Sequence, residues 1–211
     1  MQIYNFPQGS DEWLRARAGK VTASNFITAR SKLKKDGKPT EAALNYAFRV
    51  AVESMSGYPL DEGFETWQMR RGRDLEDEAR TRYELETGNE VQQCSFIATD
   101  CGFYGASADG LIETTKGLEI KCLVSPEKIR DAILNYDISP WIDQVQGGMW
   151  ITEREEWAFV IYCPALAGVN REITIWNVQR DDAYIAHLKN DLDVFSDLVA
   201  EYREKLSRKA A

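Results

Sequence analysis

Histidine and closely spaced cysteines are scarce in this sequence of 211 residues. The single histidine, His187, is too few for multi-histidine zinc hydrolases and HNH-type nucleases, and its charged surroundings predict an exposed or half-buried helix residue. The cysteines include no CxxC pair, which argues against a zinc ribbon. We interpret them as reduced thiols packed like small hydrophobic residues, with a four-cysteine iron–sulfur cluster as the alternative. They are Cys94, Cys101, Cys122 and Cys163.

Long apolar runs and flexible linkers are also missing. No stretch approaches the roughly 20 apolar residues of a transmembrane helix, and no basic segment followed by an apolar one marks a secretion signal. No repeat and no segment rich in proline, glycine or serine divides the chain. We therefore expect one domain over residues 1–211, located in the cytoplasm and without membrane contact.

An excess of positive charge is missing too, because the net charge is −8. Taken alone, this value argues against a nucleic-acid partner, since binding to phosphates needs lysine and arginine. The basic residues are clustered, however, while the acidic excess lies in residues 74–90 and after 181. Such a distribution fits a basic channel in a protein with an acidic exterior. The basic clusters are Arg15, Arg17 and Lys20; residues 30–38; and Arg70, Arg71 and Arg73.

Periodicity and turn residues predict helices, then a run of short strands, then further helices and strands. This order predicts an α/β fold with a central mixed sheet and helices on both of its faces. Two short helices are predicted to begin near Ser10 and at Thr22 or Ser24. Longer helices are predicted over 40–56, 66–87, 126–135, 140–151 and the residues after Asp181. The helix over 40–56 has an apolar stripe that should face inward, formed by Ala43, Ala47, Val50, Ala51 and Met55. The predicted strands cover 90–98, 102–106, 109–113, 117–122, 156–163 and 171–178.

Acidic and basic residues converge in the predicted hairpin between Asp109 and Lys121. Side chains alternate along a strand, so Glu119 and Lys121 share one face while Ile120 points into the core. If the two strands pair, Asp109 lies near Glu119, and two carboxylates and an ammonium group meet at the edge of a sheet. The alternative is a surface hairpin with a simple Glu–Lys ion pair.

Two neighbouring carboxylates repel each other unless a cation lies between them. Mg²⁺ suits such a site because it takes hard oxygen ligands and is commonly held by one or two carboxylates. We predict that Asp109 and Glu119 bind this ion, with the backbone carbonyl of Ile120 as a further ligand. The metal ion would stabilise charge on a phosphodiester, and Lys121 would orient or deprotonate the attacking water.

Four segments of the sequence resemble segments of a known nuclease family. SADGL followed by LEIKC resembles the D-G then (D/E)-x-K signature of the PD-(D/E)xK nucleases, with Ala108 in place of the family's proline. The segments WLRARAGKVTASNF, RGRDLEDEARTRYE and DQVQGGMW resemble those of the lambda-exonuclease and YqaJ-type viral recombinase family. The four occur in the family's order between residues 13 and 150. The resemblance implies a restriction-endonuclease-like core.

The resemblance implies a role for each matching residue. Asp109 and Glu119 would be the metal ligands and Lys121 the catalytic lysine. Glu76 would be a helix carboxylate near a second metal ion or the water, and Gln144 would hydrogen-bond within the active site. Taken alone, Glu76 would pair with the arginine one helical turn later, and Gln144 would lie at the boundary of the core.

A second group of matching residues would bind the end of a DNA strand. The resemblance assigns the terminal 5′-phosphate to Arg17, Ser24 and Ser107, and a duplex-splitting apolar wedge to Met69. A guanidinium group gives paired contacts to phosphate, and hydroxyl groups add directional hydrogen bonds. Taken alone, Arg17 would be a solvated helix residue, Ser24 a helix cap and Met69 a core residue.

As a whole, the resemblance implies a Mg²⁺-dependent exonuclease acting 5′→3′ on the ends of double-stranded DNA. It would release 5′-mononucleotides, leave 3′ single-stranded overhangs and hold two Mg²⁺ ions, replaceable by Mn²⁺, in each active site. Family members form homotrimeric rings and act with a single-strand annealing protein in recombination. The resemblance therefore implies that this chain forms a homotrimer and has such a protein as its partner. The alternatives are a RecB- or Cas4-like nuclease, an endonuclease of the same superfamily, and a non-catalytic DNA-binding protein on this fold.

Overall fold

The computed structural model of the chain describes residues 1–60 and 67–208, apart from the side chains of Gln68 and Met69. The predicted wedge residue Met69 therefore lies outside the described residues. Within those ranges, the chain forms α-helices, short 3-10 helices and strands. The α-helices are α1 (Asp11–Arg17), α2 (Phe26–Ala29), α3 (Glu41–Ser56), α4 (Trp67–Thr87), α5 (Pro126–Asn135), α6 (Ile142–Thr152) and α7 (Asp182–Ser207). The 3-10 helices are Ala23–Asn25, Ser139–Trp141 and Pro164–Val169.

The strands form two four-stranded sheets, each mixed, in place of one larger sheet. The first sheet has the order β1-β3-β4-β2, with β1 (Gln2–Tyr4), β2 (Val21–Thr22), β3 (Phe96–Ala98) and β4 (Tyr104–Ala106). The second has the order β5-β6-β7-β8, with β5 (Gly110–Ile112), β6 (Lys116–Lys121), β7 (Glu156–Tyr162) and β8 (Ile173–Gln179). The predicted mixed α/β class is confirmed. Residues 107–109 carry the chain directly from one sheet to the other.

The helix boundaries follow the predicted capping residues. Ser10 Oγ accepts a hydrogen bond from the Trp13 amide at 3.2 Å, and Thr40 Oγ1 accepts one from the Ala43 amide at 3.2 Å. Each side-chain oxygen thereby pairs a backbone donor that the first turn of a helix leaves free. Gly57 and Gly88 end α3 and α4 with φ of 72°, a left-handed conformation that suits glycine.

Two local predictions differ from the structure. Met55 is expected to face the core, but it is 47% exposed, because it lies in the last turn of α3 at an open surface beside Arg203 of α7. The predicted strand over 90–98 is a strand only from Phe96 onwards. Gln92 instead pairs with Leu111 of the second sheet, so this segment passes from one sheet to the other before β3 begins.

Helix α6 packs between the helical layer and the second sheet. Its two consecutive glycines allow close approach on both sides: a Cβ at Gly147 would lie 2.5 Å from the ring of Phe26, and one at Gly148 would lie 2.8 Å from Trp157. Residues of α6 enter the core formed with α7 and also the core formed with β7. None of the described helices is both long and apolar enough to cross a membrane.

We expect Gly147→Ala to lower the free energy of unfolding by about 1–2 kcal/mol, because overpacking of a core costs more than the gain in helix propensity. Gly72→Ala in α4 is the matched control, since its Cβ would meet nothing within 4 Å. That control should be neutral or stabilising by about 0.5–1 kcal/mol. Urea titrations of both variants measure the difference, and equal effects would contradict the packing described for α6.

Candidate active site

The hairpin of β5 and β6 places the predicted acidic residues side by side. The two strands are antiparallel with Gly110 opposite Leu118, so Asp109, just before β5, lies across from Glu119. Asp109 Oδ2 accepts a hydrogen bond of 2.6 Å from the Ile120 amide. This backbone bond fixes the carboxylate against the neighbouring strand, where a surface hairpin would leave it free in solvent.

Glu119 is the centre of the polar contacts. It is 4% exposed, and its Oε1 accepts hydrogen bonds of 2.6 Å from Lys121 Nζ and of 2.6 Å from Gln144 Nε2. Lys121 reaches it because residues two apart in a strand share a face, and Gln144 reaches it from the first turn of α6. The predicted hairpin geometry is therefore present, and α6 supplies a third side chain.

The electrostatics of the hairpin are unfavourable without a cation. Burial raises the pKa of Asp109 well above its usual range, and the charges of Glu119 and Glu76 raise it further. Burial alone would lower the pKa of Lys121, but Glu119 and Asp109 outweigh it, so that this pKa is raised. Lys121 is thus a cation beside the carboxylates of Asp109 and Glu119, while Glu76 has its own ion pair with Arg80.

These groups fit a hard divalent cation. The donors are carboxylate oxygens, which Mg²⁺ prefers, and their mutual repulsion would be relieved by an ion between them. Among residues 1–60 and 67–208, no three acidic, histidine or cysteine side chains come close enough to enclose a metal ion by themselves. An ion would therefore be held by Asp109 and Glu119, with the Ile120 carbonyl and water completing its shell, as is usual for Mg²⁺.

Glu76 combines its two predicted contacts. Its carboxylate accepts a hydrogen bond of 3.1 Å from Arg80, one helical turn later in α4. It also lines a cavity of about 500 Å³ together with Asp109. Burial raises the pKa of Glu76 even though Arg80 opposes the shift, and the charge of Glu119 adds to it. The ion pair with Arg80 and the approach to the acidic hairpin therefore coexist.

Arg17 forms a half-buried cationic pocket near the hairpin. Its guanidinium lies 4.2 Å from the ring centre of Trp13 and 5.5 Å from that of Phe96, and it donates a 2.5 Å hydrogen bond to Ser107 Oγ. Burial lowers the pKa of Arg17 to about 10, although the charge of Glu53 partly opposes this shift. In the described part of the chain no carboxylate forms an ion pair with Arg17. A half-buried cation without an ion-pair partner is suited to binding an anion.

One cavity of about 350 Å³ joins the cationic pocket to the acidic hairpin, and we call it the central cavity. Eight predicted site residues line it: Arg17, Ser24, Ser107, Asp109, Glu119, Ile120, Lys121 and Gln144. Ser24 lies in the 3-10 helix Ala23–Asn25 with its Oγ 3.3 Å from that of Thr22, and it caps no helix. The structure therefore brings the two predicted groups of residues to one place.

Two residues of this region escaped the sequence-based prediction. Trp13, which stacks on Arg17, belongs to the segment that resembles the nuclease family, so its indole was a detectable signal. Gln8 lines both the central cavity and the cavity next to Glu76, but it lies in the loop before α1, where no pattern marks it. His187 is exposed on α7, as predicted. All four cysteines are free thiols, and Cys101 is exposed rather than packed.

Comparisons with known proteins point to one family. A sequence profile of the YqaJ-like viral recombinase domain matches residues 12–155. The crystal structure of an alkaline exonuclease (LHK-Exo) from Laribacter hongkongensis is 32% identical with a TM-score of 0.81, covering 95% of this chain and 97% of that one. LHK-Exo in complex with dAMP gives 32% identity, a TM-score of 0.82 and the same coverage.

A more distant structure shares the fold alone. The phage related exonuclease from Haemophilus somnus 129PT is 18% identical, with a TM-score of 0.69 over 89% of this chain and 96% of that one. No curated protein sequence matches the chain.

We expect Asp109→Asn to stabilise the metal-free protein at pH 8, because the folded wild-type protein must there hold a charged carboxylate whose pKa burial and neighbouring carboxylates raise. The raised pKa means that the folded state holds this proton more tightly than the unfolded state does. The resulting stability is present at low pH and is lost as pH rises from about 4, the usual aspartate value, through the raised folded-state pKa. Unfolding with a chelator at pH 4 and pH 8 tests this: the gap between the variant and wild type should open only at the higher pH.

Proposed function

The chain belongs to the YqaJ-like viral recombinase domain family and is an exonuclease, and we propose that it degrades double-stranded DNA from 5′ ends in a reaction that depends on Mg²⁺. The products would be 5′-mononucleotides and a duplex with a 3′ single-stranded overhang. We assign the activity to one domain formed by residues 1–211. The observation that carries this proposal is the central cavity, which combines an uncompensated guanidinium with a set of crowded carboxylates.

Each half of the central cavity suits one phosphate of a DNA strand. We assign the terminal 5′-phosphate to Arg17, Ser24 and Ser107, because a dianion would supply the charge that this half-buried arginine lacks. The scissile phosphodiester would then lie at Asp109 and Glu119. We expect one nucleotide to fit between the two phosphates, which would account for both the choice of end and the size of the product.

We assign the chemistry to the residues around Glu119. Mg²⁺ at Asp109 and Glu119, singly or as a pair near Glu76, would supply Lewis-acid stabilisation of the charge that develops on the phosphodiester, and Mn²⁺ would replace it. Lys121, held as a cation by Glu119, would offset phosphate charge and orient the attacking water. Gln144 would hold Glu119 in position through the 2.6 Å hydrogen bond to Oε1.

We also propose the assembly and the partner that the family resemblance implies. A homotrimeric ring would place basic residues around the DNA and so reconcile duplex binding with the net charge of −8. The exposed side chains of Lys34 and Lys35 in the loop after α2 support a basic surface of this kind. A single-strand annealing protein would take up the 3′ overhang.

We expect wild-type protein in Mg²⁺ to release 5′-mononucleotides from a linear duplex that carries 5′-phosphates and to leave a circular plasmid intact. Asp109→Ala should lower the rate by about 1,000-fold, since metal-assisted charge stabilisation is worth several kcal/mol. Asp193→Ala, an exposed aspartate of α7, is the control and should keep the wild-type rate. Strand-specific end labels give the polarity, and digestion from the 3′ end or nicking of the plasmid would overturn the proposal.

The phosphate pocket has a separate test in Arg17→Met. The rate on 5′-phosphorylated ends should fall about 10- to 100-fold, because a charge-assisted contact to phosphate is worth about 1.5–3 kcal/mol. The rate on 5′-hydroxyl ends should change little, so that discrimination between the two ends is lost. Arg130→Met, an exposed arginine of α5, is the matched control. If Arg17→Met keeps the full preference for phosphorylated ends, the assignment of the terminal phosphate to this pocket is wrong.

A further inference from the structure

A partly buried ion-pair network lies behind the central cavity, on the helical side of α6. Asp143, which is 5% exposed, accepts hydrogen bonds of 2.8 Å from Arg30 Nη1 and 2.5 Å from the hydroxyl of Tyr184. Arg30 also binds Asp191 through Nε at 3.0 Å and Nη2 at 2.8 Å. Lys32 lies 2.6 Å from the other carboxylate oxygen of Asp191. Arg30 and Lys32, which belong to the predicted basic cluster 30–38, therefore both form ion pairs with carboxylates.

The network joins the two segments that carry opposite halves of the site. Arg30 ends α2, which continues directly from the 3-10 helix that holds Ser24. Asp143 immediately precedes Gln144, which donates to Glu119. Consecutive residues of an α-helix point about 100° apart, so anchoring Asp143 on one side sets the direction of Gln144 on the other.

Close packing and directional hydrogen bonds both join the two segments. Gly147 of α6, one turn after Gln144, lets the ring of Phe26 in α2 approach closely. The guanidinium group of Arg30, held by two carboxylates, adds a directional constraint because its planar donors bind in a defined orientation.

We propose that Arg30 and Asp143 form a positioning pair that sets the spacing between the terminal-phosphate pocket and the catalytic carboxylates. The inference rests on the proposed function. Neither residue lines the central cavity, so both act through their neighbours: Arg30 through the segment of Ser24, and Asp143 through Gln144. A substrate end anchored by its 5′-phosphate would then present its scissile bond at the correct place only while the pair is intact.

The test compares Asp143→Asn, Arg30→Lys and Arg30→Met on linear duplexes with 5′-phosphate or 5′-hydroxyl ends. We expect kcat on phosphorylated ends to fall about tenfold in Arg30→Met, because a misplacement of about 1 Å can cost up to about 100-fold in rate. KM should stay within about twofold, since both pockets remain intact. Rates on 5′-hydroxyl ends should fall much less, because those ends are not anchored in the phosphate pocket. Arg30→Lys keeps the charge and should recover part of the loss.

A purely structural role predicts a different pattern. Loss of folded protein would lower both rates equally and leave their ratio unchanged, and this result would overturn the proposal. Arg82→Met is the matched control, since Arg82 pairs with Glu172 at 3.0 Å away from the cavity; it should leave the ratio of the two rates at the wild-type value. Asp143→Asn retains the shape of the side chain and serves if Arg30→Met does not fold. Wild-type protein without nuclease activity or end preference would refute the proposed function instead.

Discussion

The repulsion between Asp109 and Glu119 is the constraint around which much of this structure is organised. These two carboxylates are held beside one ammonium group, that of Lys121, the charge of Glu76 lies close by, and burial makes the negative charge costly. The hairpin register, the amide of Ile120, and the contact from α6 all act to keep these groups together. A fold selected only for stability would separate them. The site is therefore a place where stability is given up for a cation and a phosphodiester.

The opposite imbalance lies at the other end of the central cavity. Arg17 lies half-buried between two aromatic rings with a hydroxyl as its polar contact, and no carboxylate in the described part of the chain forms an ion pair with it. If the carboxylates of Asp109 and Glu119 lay next to Arg17, the charges at both ends of the cavity would be balanced. Neither end would then have an excess charge with which to bind an anion or a cation. Keeping them apart leaves one end of the cavity suited to an anion and the other to a cation. This separation of charge explains how an acidic protein serves a polyanionic substrate.

Local patterns in the sequence predict the parts of this site that depend on local geometry. The alternation in β6 puts Glu119 beside Lys121, and the capping residues Ser10 and Thr40 mark helix starts because their side chains bond to amides three residues away. The exposure of Met55 could not be predicted, since helical periodicity says which face is apolar but not how much of that face the neighbouring helix covers. The division into two sheets was likewise hidden, because it depends on which distant strands pair.

The relative position of the two halves of the central cavity is the feature that local sequence patterns predict least. Arg30 and Asp143 are 113 residues apart, and nothing in either segment marks the other as its partner. Resemblance to the family identifies Ser24 and Gln144, which face the cavity, yet it is silent on the pair behind them. A cavity made from two sheets and a helix depends on such contacts, because its two halves come from segments far apart in the sequence. The distance between the two halves of the central cavity is therefore a property of the tertiary structure.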